Sequence, residues 1–141
     1  MKILVVNGPN MNMLEKRDKD HYGEFSLSNL NRLIKNTFPN IKFRFFQSNI
    51  EGKIIDRIQK SHNFHGIIIN PAGYTHTSVA IRDALELVKV IKVEVHLSPI
   101  QNREDFRRTS LMTDVVDTTI SGKKEKSYLE AVDFIIEKSK I

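Results

Sequence analysis

Glu94 and His96 are the side chains whose types and spacing point most directly to chemistry. They stand two apart in the apolar run Val90–Ser98, and in a strand that spacing sends both to one face. A carboxylate beside an imidazole fixes the tautomer and favours the protonated ring, which suits a general acid. From spacing alone, a hydrogen-bonded and partly buried histidine is the commoner outcome; the carboxyl end of a strand shifts the reading toward function. Arg17 and Tyr22 form a second pair. A phenol ionises near pH 10, so a tyrosinate at neutral pH needs stabilisation of about three units, roughly 4 kcal/mol. One or two guanidinium groups in a closed site could supply it, although on the residues alone an ordinary surface loop is the commoner reading. Asn70-Pro71-Ala72-Gly73-Tyr74-Thr75-His76-Thr77-Ser78 runs from a strand end into a helix start. Thr77 or Ser78 can cap that helix, whose first amides favour an anion, and plain capping accounts for the same residues. Arg107 and Arg108 could hold a carboxylate or stand as solvated helix charges.

Other chemistries lack their residues. The chain has no cysteine, which removes disulfides and thiolate metal sites. Its histidines, His21, His62, His65, His76 and His96, form no His-x-x-x-His pair, and Glu94 rather than a second imidazole accompanies His96. Metal ligation is not expected. No Walker loop and no Gly-x-Gly-x-x-Gly follows the first apolar run, and no nucleophile-elbow sequence occurs. Neither a metal nor an organic cofactor is therefore expected.

The elements that must position these residues follow from periodicity. Lys2–Asn7, Ile41–Gln47, His65–Asn70, Val90–Ser98 and Asp114–Ile120 read as strands. Ser26 can cap a helix through Phe38 with Leu27, Leu30, Leu33 and Ile34 on one stripe. Ile54, Ile55 and Ile58 mark a second helix, Thr77–Val88 a third and Ser127–Lys138 the last, with a helical turn near Arg103–Arg108. Apolar strands alternating with amphipathic helices predict an α/β fold: a flavodoxin-like, doubly wound, five-stranded parallel sheet with helices on both faces. Ligands in such sheets bind beyond the carboxyl ends of the strands. That places Asn7–Asn10, Asn70–Ser78 and His96–Arg107 around one site. Gly8–Glu24 reads as a long charged loop, and a loop of that length in a compact domain suggests a lid at about residues 11–24.

With 141 residues the chain supports one domain with a real core. Its net charge of +5 admits nucleic acid or a small anionic substrate as partner. Lys and Arg are interleaved with Asp and Glu, as in Glu15-Lys16-Arg17-Asp18-Lys19-Asp20, and no RNA-binding signature with stacking aromatics is present. A solvated surface with a bias toward small anions is the simpler reading, with no nucleic acid and no membrane. No apolar stretch is long enough to span a bilayer, and the first residues lack the apolar length of a signal peptide, so a cytoplasmic setting is expected.

Together these segments resemble the type II 3-dehydroquinate dehydratases. The matching text is Asn7-Gly8-Pro9-Asn10, Arg17 with Tyr22-Gly23, Ser48-Asn49-Ile50-Glu51-Gly52, and Asn70 through Ala84. It continues with Glu94-Val95-His96-Leu97-Ser98 and Arg103-Glu104-Asp105-Phe106-Arg107, all in family order from residue 3 to about residue 122. The resemblance implies reversible dehydration of 3-dehydroquinate to 3-dehydroshikimate by anti elimination through an enolate. Tyr22 then matches the base, Arg17 the residue that activates it, and Asn10 the holder of a water against the enolate oxygen. His96 matches the acid and Glu94 its orienting group. Asn70 and the backbone amides of Leu97 and Ser98 match the carboxylate cradle, and His76 and Arg107 match contacts to ring hydroxyls. Asp83 matches a residue reaching into a neighbouring subunit's site, because the family assembles as trimers and usually as dodecamers. Glu15, Lys19-Asp20, Thr109-Ser110-Leu111 and Lys123–Ser127 depart from the family's usual text without removing any of these groups.

Two other classes remain. A receiver-like regulator would need clustered acidic residues after the first strand, where Asn7-Gly8-Pro9-Asn10 stands. A nucleic-acid-binding module has only the positive charge in its favour.

Overall fold

The computed structural model describes residues 1–22 and 25–140, with backbone only for His21 and Tyr22. Five parallel strands, β1 (Lys2–Asn7), β2 (Lys42–Gln47), β3 (Gly66–Asn70), β4 (Ile91–His96) and β5 (Thr118–Ser121), form one sheet in the order β2-β1-β3-β4-β5. The helices are α1 (Lys19–Tyr22), α2 (Leu27–Thr37), α3 (Glu51–Gln59), α4 (Val79–Leu87) and α5 (Glu125–Ser139). This is the flavodoxin-like arrangement that the alternation of apolar runs and helical stripes predicts.

Strand pleating divides the core in two. Ile3, Val5, Ile68, Val93 and Val95 pack with Leu30 and Ile34 of α2 and with Tyr128, Ala131, Val132 and Ile135 of α5. Leu4, Val6, Ile67 and Ile69 pack on the other face with Ile54 and Ile58 of α3 and Ile81, Ala84 and Leu85 of α4. Every one of these side chains is almost wholly buried, which is why the central strands read as unbroken apolar runs. Alternation also sets the polar ends: Asn7 and Asn70 share parity with Val5 and Ile68 and face α5, while Glu94 and His96 face the α3/α4 side.

Several boundaries differ from the sequence reading. Gly8–Glu24 is not a plain loop: Met11–Lys16 forms 3-10 turns that bury Met11 and Leu14 against the α2/α5 face, and α1 follows. The expected helix at Thr77–Val88 divides. Ala72–His76 is a 3-10 segment, and α4 begins only after Ser78, whose hydroxyl accepts from the Ile81 amide at 2.9 Å. Ser26 caps α2 as expected, accepting from the Asn29 amide at 3.1 Å. The fifth strand starts at Thr118 rather than Asp114, because Thr113–Val115 takes a 3-10 turn. The helical turn expected near Arg103–Arg108 is a 3-10 segment at Asp105–Arg107, and a second 3-10 segment precedes it at Ile100–Asn102. The last helix begins at Glu125, two residues before the expected Ser127.

Candidate active site

Glu94 is fully buried near the end of β4 and accepts four hydrogen bonds. His96 Nε2 lies 2.6 Å from its Oε2, which also accepts from Ser110 Oγ at 2.5 Å. Thr113 Oγ1 and Thr119 Oγ1 donate to Oε1 at 3.0 and 2.9 Å. Burial pushes the carboxyl group's pKa up, but the His96 hydrogen bond and charge, with the Ser110 and Thr119 hydroxyls, outweigh it and hold the pKa below the ordinary carboxylate range. The result is a buried carboxylate that keeps its charge. With Nε2 on Glu94, Nδ1 is the ring nitrogen of His96 not committed to that carboxylate.

His96 lines a cleft of about 430 Å³, measured out to its open mouth, beyond the carboxyl ends of β1, β3 and β4. Arg17, Asn70, His76, Leu97, Ser98 and Arg107 share its wall, so seven of the residues singled out from sequence meet there with His96 counted. His76 Nδ1 is 2.7 Å from the Thr109 carbonyl, which can only accept, so Nδ1 carries the hydrogen. Burial lowers the pKa of His76, and nearby His96 and Arg107 add to that against the opposing Thr109 bond. A neutral His76 therefore presents Nε2 as an acceptor. Arg107 is held by Glu104, its Nε donating to Oε2 at 2.7 Å.

Not every expected residue is in the wall. Asn10 is exposed, in left-handed conformation with φ 68°, and its amide donates to Asn49 Oδ1 at 3.0 Å. Asp83 lies on the exposed face of α4, outside the cleft wall. The Tyr22 side chain lies outside the described residues. Sequence reasoning missed Arg103, whose side chain is only 12% exposed, lines the cleft, and donates from Nη1 to Ser98 Oγ at 3.2 Å. It also missed the hydroxyls around Glu94. Thr119 sits opposite Glu94 in the β4–β5 register, a pairing that becomes visible only once the strand order is known. Among the described residues, no three His, Asp or Glu side chains gather to hold a metal ion. No helix among them is long and apolar enough to cross a membrane.

An arginine-rich cleft over a buried Glu–His pair, at the carboxyl ends of a parallel sheet, defines an α/β enzyme with an acid–base site. The family model for class II dehydroquinases matches residues 1–136. The chain is 52% identical over 140 residues to 3-dehydroquinate dehydratase of Thermotoga maritima, covering 98% of this chain and 96% of that one. It is 47% identical over 137 residues to the Clostridium botulinum (strain Okra) protein of the same name, covering 95% and 93%. Among solved structures, the type II dehydroquinase of Butyrivibrio crossotus superposes with a TM-score of 0.93 at 44% identity, covering 96% and 97% of the two chains. This chain belongs to the class II dehydroquinase family, whose members are lyases.

Proposed function

We propose that the chain catalyses the reversible dehydration of 3-dehydroquinate to 3-dehydroshikimate by anti elimination through an enolate, without metal or organic cofactor. Tyr22, with its phenol ionised by Arg17, removes the proton alpha to the ketone. The electron pair is held as an enolate, and Asn10 positions a water against its oxygen. As the enolate collapses, the carbon–oxygen bond to the leaving hydroxyl breaks and His96 supplies the proton that releases it as water, leaving a conjugated enone. Asn70 and the amides of Leu97 and Ser98 hold the substrate carboxylate, and His76 and Arg107 hold ring hydroxyls. Asp83 completes a neighbouring subunit's site in a trimer, four of which make a dodecamer. Within the segment at about residues 11–24, whose last two residues lie outside the described ones, the part beyond the buried Met11 and Leu14 serves as the lid over a single catalytic domain, and the setting is cytoplasmic.

The observation that carries this reading is the 2.6 Å bond between His96 Nε2 and the charged, buried Glu94, because it fixes the orientation of a ring that lines the cleft. Arg17, Arg103 and Arg107 around the same space favour an anionic substrate. The neutral His76, with Nε2 as acceptor, suits a hydroxyl group. The test mixes the protein with 3-dehydroquinate and follows the enone absorbance. His96→Ala is expected to lower turnover by about two to four orders of magnitude, the usual range for one general acid. A change under roughly tenfold with substrate shown to bind, well below that range, would leave His96 a structural residue.

A further inference from the structure

Asn7 and Asn70 are register partners at the carboxyl ends of β1 and β3, and both face α5. Between them and the helix lies Tyr128, fully buried. Its hydroxyl is 2.5 Å from Asn7 Oδ1 and 3.0 Å from Asn70 Nδ2. The direction of each bond in this chain is determined. The Ala72 amide, which can only donate, points at the other end of the Asn70 side chain at 3.1 Å, so that atom is the oxygen and the atom facing Tyr128 is the nitrogen. An amide nitrogen has no acceptor capacity, so the phenol oxygen accepts from Asn70 and its single hydrogen goes to Asn7. Nδ2 has a second hydrogen. Its other hydrogen-bond partner among the described residues is the cleft-lining sulfur of Met11 at 3.8 Å, a weak acceptor that an anion would displace readily.

We propose that Tyr128 is a positioning residue: by donating to Asn7 and accepting from Asn70, its hydroxyl fixes the Asn70 amide so that one N–H is presented to the cleft for the substrate's carboxylate. Burial pushes the phenol's pKa well above its ordinary value, so the hydroxyl stays protonated and the polarity of the chain does not change with pH. Tyr128 itself is not in the cleft wall, and neither is Asn7. Their effect reaches the substrate only through Asn70. The inference rests on the proposed function in one respect, that Asn70 contacts a carboxylate.

Tyr128→Phe keeps the ring in the core and removes the relay. A charge-assisted bond held in both ground and transition states contributes to KM and not to kcat. The variant should therefore raise KM for 3-dehydroquinate about tenfold to hundredfold, while kcat stays within about threefold and the pH profile keeps its shape. Binding of a carboxylate product analogue should weaken in parallel, whereas its uncharged methyl ester should bind as it does to wild type. Asn7→Ala is the second variant. It removes the acceptor that holds the phenolic hydrogen away from Asn70, and it should give the same KM rise and the same loss of preference for the acid over the ester. A merely structural role would lower stability without that preference changing. If Tyr128→Phe fails to fold, Asn7→Ala decides. Wild-type KM in the folded variant, a fall in kcat at unchanged KM, or equal weakening of acid and ester would overturn the assignment. A wild type that yields no enone from 3-dehydroquinate would instead overturn the proposed function.

Discussion

Glu94→Gln tests the site with little change in shape. The carboxylate accepts from His96 and Ser110 on Oε2 and from Thr113 and Thr119 on Oε1. An amide has one accepting end. Threonine hydroxyls can rotate to accept, whereas His96 keeps its tautomer only if an oxygen faces Nε2, so the amide nitrogen settles toward Thr113 and Thr119. All contacts survive and only the charge is lost. Hydrogen bonds to charged groups contribute about 1.5–3 kcal/mol and neutral ones about 0.5–1.5, so the imidazolium loses roughly 1–1.5 kcal/mol of support. Turnover should fall about tenfold. Glu94→Ala, which strands three hydroxyls beside a cavity, should cost far more activity and at least about 1–3 kcal/mol of stability. Glu94→Gln should also flatten acid unfolding. A carboxyl whose folded pKa is depressed contributes stability present above the ordinary carboxylate range and lost as pH falls through the lowered value, and the amide has no such step. Stopped-flow enone absorbance across pH, with urea unfolding at matched pH, reads both effects. Unchanged turnover in Glu94→Gln would refute the assignment of an ionised Glu94 that holds His96 in place for proton donation.

Arg17→Ala and Tyr22→Phe should both abolish most turnover, yet only Arg17→Ala should regain rate as pH rises toward about 10, where an unassisted phenol ionises; identical pH profiles would end the base assignment. Gly8→Ala should destabilise by about 1–3 kcal/mol, because its Cβ would meet the Pro71 carbonyl oxygen and must push β1 away from the turn after β3. Thermal unfolding checks this, and an unchanged midpoint would contradict it. Asp83→Ala should lower activity by weakening the proposed trimer or the site proposed to lie in the neighbouring subunit, and analytical ultracentrifugation beside the enone assay separates the two; a fully active wild-type monomer would remove Asp83 from the chemistry.

The sequence by itself determined the layers of this protein and the pairing at its centre. Unbroken runs such as Ile67–Ile69 force a strand covered on both faces, and the stripe at Leu30 and Ile34 forces a helix across it, since apolar surface at those periods has no other way out of water. Glu94 and His96 lie two apart, so any strand there brings them to one face. Their contact is local geometry. What the sequence left open depended on which distant segments meet. Thr119 faces Glu94 only because β5 lies beside β4 in a particular register. Ser110 and Thr113 reach it only through the loop ahead of β5, where Thr113–Val115 takes a 3-10 turn and delays the strand expected from Asp114. Arg103 reads as one more surface charge until the His96–Arg107 segment folds its stem against the cleft. Asn10 and Asp83, placed by resemblance, stand apart from the cleft wall. The Asn7–Tyr128–Asn70 chain spans almost the whole length of the sequence, and no periodicity encodes it. Periodicity is written residue by residue, whereas hydrogen-bond partners across loops are chosen by register and packing, and those exist only in the folded molecule.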